Sequence, residues 1–142
     1  MSGTNWTIGI DFGTSNTAAA HTNPVKGTVE AVNLSHNRTT MSSSVYVESP
    51  EQIDVGDVAM DKAESNPAGF IPAPKRVIPQ QMFQVNGYDL SASMPVAAVL
   101  SSVVQRVSRE HGNVQPSELV LTHPEAWSSN EIKVLLDAAA QL

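Results

Sequence analysis

The sequence predicts an α/β domain with a mixed sheet, on three observations. Its N-terminal quarter holds three short alternating segments rich in β-branched residues and separated by turn residues. The stretch from Ser93 to Gly112 carries apolar residues at helical spacing. A nearly continuous apolar run from Glu118 to Thr122 is then followed by a second amphipathic stretch. Strands first, then helix, strand and helix, with no second hydrophobic unit, is the order of an α/β arrangement with a meander on one side.

Thr7 to Asp11, Asn16 to Thr22 and Thr28 to Leu34 read as the strands of the meander, with Gly13-Thr14-Ser15 and Asn23-Pro24-Val25-Lys26-Gly27 as its turns. Ser35-His36-Asn37-Arg38 is a polar turn, and Ser44 to Val47 a short strand closed by Ser49-Pro50-Glu51. Gly56 to Ser65 reads as a short helix that ends at Asn66-Pro67, because proline disfavours helix at the residue before it. Pro67, Pro72, Pro74 and Pro79 rule out a long helix in the middle of the chain and leave irregular structure, with a hairpin at Asn86-Gly87.

The long helix is expected to open at Ser93 as a cap, with Pro95 in its first turn, and to stop at Gly112. Its stripe of Val96, Val99, Leu100, Val103 and Val107 is a core face rather than a partner surface. Pro116-Ser117 leads into the apolar strand. Ser128 and Ser129 cap a last helix with Ile132, Leu135, Leu136 and Ala139 on one face. That helix meets no glycine or proline stop, which suggests a piece of a longer protein.

Composition narrows the classes of function. At 142 residues and 41% hydrophobic, the chain can build one sizeable core. The 14 acidic and 8 basic residues give a net charge of −6, the wrong sign for collecting phosphate backbones, so no nucleic-acid partner is expected. With no cysteine there is neither a disulfide nor a thiolate zinc site, and His21, His36, His111 and His123 lack metal-ligand spacing. The N-terminus is not that of a signal peptide, and no window approaches the ~20 apolar residues of a membrane helix. A cytoplasmic location and no membrane contact from this segment are therefore expected.

The chemistry concentrates in Ile8-Gly9-Ile10-Asp11-Phe12-Gly13-Thr14-Ser15-Asn16. A strand end that delivers one carboxylate beside Gly-Thr-Ser offers N–H groups and hydroxyls to phosphate oxygens, and Asp11 to a hard cation such as magnesium. The same residues also suit a tight hairpin in which Asp11 and Thr14 bond their own turn. The lysine-containing phosphate loop and the G-x-G-x-x-G loop are both disfavoured, because Gly13 is the turn's one glycine and a strand, not a helix, follows it.

This segment resembles the first phosphate loop, G-I-D-L-G-T-T-N-S, of the seventy-kilodalton heat-shock chaperones. Further matches follow in that family's order. Asn37-Arg38-Thr39-Thr40 with Ser42 resembles N-R-T-T-P-S, and Val55-Gly56-Asp57-Val58-Ala59 resembles I-G-D-A-A. Asn66-Pro67 and Lys75-Arg76-Val77-Ile78 resemble N-P and A-K-R-L-I-G. Leu119 to Trp127 resembles A-V-V-T-V-P-A-Y-F, and Asp137-Ala138-Ala139 lies in the following helix like K-D-A-G.

The resemblance implies a ribonuclease H-like, actin-like ATPase fold, of which this chain is the N-terminal part of the nucleotide-binding domain. Residues 1–35 and 115–142 would form the base subdomain of the first lobe and residues 36–114 its upper subdomain. The implied cofactors are ATP or ADP with magnesium. The implied partners are the remainder of the nucleotide-binding domain, co-chaperones and unfolded polypeptide. Asp11 would face magnesium through water, and Gly13, Thr14, Ser15 and Asn16 would cradle the β- and γ-phosphates. Lys75 would position the attacking water, and Pro124 would relay the nucleotide state between domains.

Two positions depart from the family pattern. Met41 replaces the proline of N-R-T-T-P-S, and Ile132 falls where an arginine follows the relay proline. An isoleucine makes none of an arginine's charge-assisted hydrogen bonds, so this would be a divergent member. His123 and Trp127 read as packing residues. The resemblance implies an enzyme in the intact protein and little activity in this segment alone, because the second phosphate loop of the family falls outside it. A nonenzymatic actin-like interaction module and a sugar-kinase-type phosphotransferase are the alternative readings.

Overall fold

The computed structural model describes residues 5–23, 26–34, 38–122 and 129–142. The meander forms as the alternation requires. In β1 (Thr7–Phe12) the side chains of Ile8, Ile10 and Phe12 are buried, and Asp11 lies on the opposite face. β2 (Asn16–Asn23) runs antiparallel to it, pairing Ile8 with His21, Ile10 with Ala19 and Phe12 with Thr17. Because facing residues share a side of the sheet, Thr17, Ala19 and His21 are drawn inward with the apolar set.

β3 (Thr28–Ala31) and β4 (Thr40–Ser42) divide the outer edge of β2. β3 pairs with Ala20 to Asn23, and β4 with Asn16 to Ala18. β3 is shorter than the alternation predicts. Val32 and Leu34 remain buried, but beyond Val32 the backbone turns away, with the Leu34 N–H bonded to the Arg38 carbonyl. β4 was not foreseen, because three residues among threonines and serines carry too little pattern to separate from a turn.

A second sheet follows. β5 (Val45–Ser49) and β6 (Gln52–Val55) form a hairpin, so Ser49-Pro50-Glu51 turns the chain rather than ending the strand. α1 (Asp57–Ser65) begins where expected, and Asn66 then caps a short 3-10 helix, its side-chain oxygen accepting the Ala68 N–H. β7 (Phe70–Ile71) returns antiparallel to β5.

The proline-rich middle is more ordered than expected. A 3-10 helix spans Pro74–Gln80, with Ile78 fixed in the core. β8 (Met82–Val85) and β9 (Tyr88–Ser91) form the hairpin that Asn86-Gly87 predicts, both turn residues having positive φ.

α2 (Ser93–Ser108) joins the two sheets. Its stripe of Val96, Val99, Leu100, Val103 and Val107 is buried, and the helix packs on β1, β5 and β6 to make one continuous core. Ser93 is not its cap. It lies in the first turn, and the Ser91 hydroxyl accepts its N–H at 3.3 Å. A 3-10 turn, Arg109–His111, extends the helix to Gly112, whose φ of 66° allows the left-handed stop.

β10 (Glu118–Leu121) lies parallel to β1, with Thr7 opposite Glu118 and Ile10 opposite Leu121. The five-stranded sheet is therefore mixed, in the order β10-β1-β2-β3 with β4 also on β2. α3 (Ser129–Ala140) packs against α2 through Val134, Leu135 and Ala138. That departs from the expected face. Ile132, Leu136 and Ala139 fall on the adjoining flank, where with Leu119 and Leu121 they line an open apolar hollow of about 570 Å³. Among the described residues, no helix is long and apolar enough to cross a membrane.

Candidate functional site

The parallel pairing of β1 and β10 brings their C-terminal ends to one edge of the sheet. In open α/β sheets that edge is where ligands bind. Here it carries Asp11 at the end of β1, the turn Gly13-Thr14-Ser15, and Thr122 just beyond β10.

The turn closes through the Gly13 N–H, which donates to the Asn16 carbonyl at 3.0 Å. Glycine is required at that point because a Cβ would sit 2.4 Å from the same carbonyl oxygen. Ser43, in the connection after β4, then holds the turn from behind. Its N–H donates to the Ser15 carbonyl at 2.9 Å, and its hydroxyl to the Gly13 carbonyl at 2.9 Å. The buried Thr17 hydroxyl lies 2.8 Å from the Ser43 hydroxyl and completes the brace.

These bonds use the carbonyls and leave the donors. Among the described residues, the N–H groups and hydroxyls of Thr14 and Ser15 have no hydrogen-bonding partner. Thr14 is half-buried, while Ser15 and Asn16 are exposed. Asp11 does not fold back on this turn as a hairpin acid would. Its carboxylate accepts a hydrogen bond from the Thr122 hydroxyl at 3.1 Å, and the Thr122 N–H continues the parallel ladder to the Ile10 carbonyl at 3.4 Å.

An anion placed at the turn would thus meet oriented donors, with one carboxylate alongside. A magnesium ion that keeps several waters and takes its other ligands from phosphate oxygens needs only one such protein carboxylate. Among the described residues no three His, Asp or Glu side chains cluster as a metal cage.

The other sequence-derived candidates lie elsewhere. Lys75 is half-buried in the second position of the 3-10 helix Pro74–Gln80, an element separate from those that build the turn. Pro124 lies outside the described residues, as do His123 and Trp127. Ile132 forms part of the wall of the apolar hollow beside β10, a place for a hydrocarbon side chain rather than a charged one.

Sequence reasoning missed Ser43, Thr17 and Thr122 as parts of the site. Thr17 was legible as an inward position of β2. Ser43 was not, because the run Ser42-Ser43-Ser44 does not say which hydroxyl points at the turn until β4 pairs with β2. No protein-family model matches the chain, and no curated protein matches it significantly.

Proposed function

We propose that this chain is the phosphate-binding part of an ATP-hydrolysing domain, in a molecular chaperone of the seventy-kilodalton heat-shock kind. On this reading the five-stranded mixed sheet belongs to the ribonuclease H-like, actin-like class. Residues 1–35 and 115–142 are its base subdomain and residues 36–114 its upper subdomain. The observation that carries the reading is the turn Gly13 to Asn16, with the free donors of Thr14 and Ser15 beside Asp11 at the shared end of β1 and β10. The ordered motif resemblances from Asn37 to Asp137 support it independently.

In this role the Thr14 and Ser15 donors bind the β- and γ-phosphates, and their prior orientation spares the cost of reorganising them as charge develops. Asp11, held in place by Thr122, would be the residue that holds magnesium. Magnesium, when bound, supplies charge neutralisation on the phosphate oxygens. Lys75 orients the water that attacks the γ-phosphorus as the bond to the β–γ bridging oxygen breaks, leaving ADP and inorganic phosphate. The rest of the clamp comes from the remainder of the nucleotide-binding domain, with co-chaperones and unfolded polypeptide as partners of the whole.

Calorimetric titration with ATP and ADP in the presence of magnesium, together with steady-state phosphate release, tests this on the full-length protein and its Asp11→Ala and Lys75→Ala variants. Binding weakened by Asp11→Ala, with turnover lost in both variants, is the expected result. Absence of nucleotide binding by the full-length protein would sink the enzymatic reading and favour a nonenzymatic interaction module. Phosphate transfer to a sugar instead of water would assign the fold to a kinase.

A further inference from the structure

At the opposite end of β1 from the turn, three rings meet. His21 Nδ1 lies 2.8 Å from His111 Nε2, joining β2 to the turn that follows α2. The indole of Trp6 stacks on the His111 imidazole, with centroids 3.8 Å apart and planes 5° from parallel, and meets His21 edge-on. Trp6 in turn holds the approach to β10. Its Nε1 donates to the Val114 carbonyl at 3.0 Å, and its carbonyl accepts from both the N–H and the hydroxyl of Ser117, at 2.9 and 3.0 Å.

A hydrogen bond between two imidazole nitrogens needs one proton, donated by either ring. Full protonation of both rings would set two N–H groups against each other at 2.8 Å and place two positive charges in contact. We infer that His21 and His111 form an acid-sensitive clasp between the N-terminal strand and the end of α2, closed with one shared proton and opened by a second. It is independent of what the turn at the other end of β1 binds.

Charged groups flank both rings. Glu30 stands opposite His21 on β3, its carboxylate 3.9 Å from His21 Nε2, and Lys26 lies 3.7 Å from the same carboxylate. The Asn23 amide hydrogen bond, with smaller help from Lys26 and His21, holds the Glu30 carboxyl below its usual range, so Glu30 stays charged in mild acid. Burial, and then the charge of His21, push the His111 imidazole below its ordinary range, against a weaker opposing pull from Glu110.

The sign of the pH effect follows from His111. The unfolded chain takes up this proton near its ordinary 6.5, above the pH at which the folded chain does. Stability from the closed clasp is therefore fully present above that value and declines as pH falls below it, toward the folded pKa. Opening unstacks Trp6 and releases Val114 and Ser117, loosening β10 where it joins the sheet.

Replacing Trp127 by phenylalanine leaves Trp6 as the one tryptophan of the chain. In that variant, Trp6 emission and the histidine ring resonances are followed from about pH 8 to about pH 5. The expected result is a single step in Trp6 emission with the midpoint of His111, below 6.5. Adding His21→Gln moves the His111 midpoint upward, and adding His111→Phe, which keeps a ring against Trp6, removes the step. Trp6 emission that is flat across the range overturns the clasp, and so does a His111 midpoint unchanged by His21→Gln. The latter arm stands even if His111→Phe fails to fold.

Discussion

The Thr122 hydroxyl donates to Asp11 Oδ1 at 3.1 Å, across the parallel pair that β10 makes with β1. It ties the acid of the proposed site to the far end of the sequence. Thr122→Val keeps the shape and removes the donor, so Asp11 gains rotamer freedom. Magnesium-ATP affinity is expected to fall by about 1 kcal/mol, roughly fivefold, with the urea midpoint almost unchanged. Thr122→Ser should restore most of it. Calorimetry on the three proteins decides, and equal affinities would remove Thr122 from the site.

Ser43 is fully buried and serves two carbonyls and one hydroxyl. Ser43→Ala retains its N–H bond to Ser15 but leaves the Gly13 carbonyl and the buried Thr17 hydroxyl short of a partner. A loss of about 1–3 kcal/mol in urea unfolding is expected. Thr17→Val combined with Ser43→Ala should cost less than the sum of the single changes, because the second change removes a group the first has orphaned.

Gly13→Ala forces a Cβ to within 2.4 Å of the Asn16 carbonyl oxygen, so the turn must open. Relieving that overlap costs about 1–3 kcal/mol. Thermal unfolding should register it, and nucleotide affinity should drop further than in Thr122→Val, since the Thr14 and Ser15 donors are displaced together.

Leu100 lies in the middle of the α2 stripe, in the core shared by both sheets. Leu100→Ala is expected to cost about 2–5 kcal/mol by deletion of a buried side chain. Because the core is continuous, denaturation monitored by Trp6 fluorescence in the Trp127→Phe background and by far-ultraviolet dichroism should shift together. Separate shifts would mean that the two sheets unfold independently.

Much of this fold was legible because it rests on local pattern. The β1–β2 meander, α1, the Asn86-Gly87 hairpin, the α2 stripe and the Gly112 stop follow from periodicity, from the proline that ends a helix or from residues that tolerate positive φ. What escaped was short or conditional. β4 and β7 are too brief to show a period, and the 3-10 helix at Pro74–Gln80 is compatible with the prolines that argued against a longer helix. On α3, apolar residues cover more than one flank, so only packing against α2 could choose Val134 and Ala138 over Leu136.

The candidate site divides in the same way. Asp11, Gly13, Thr14 and Ser15 are adjacent in the chain, and their chemistry can be read from the letters alone. That the Asp11 carboxylate faces Thr122 rather than its own turn, and that Ser43 rather than Ser42 or Ser44 braces the loop, depends on strand register. His21 and His111 are ninety positions apart and carry no shared motif. The sequence by itself determined the longer strands and helices and where a phosphate-binding turn could form, because those properties act over a few neighbouring residues. Tertiary structure alone decided which side chains hold that turn and which two histidines share a proton, because a hydrogen bond requires atoms about 3 Å apart and only the paired sheet and packed helix bring them there.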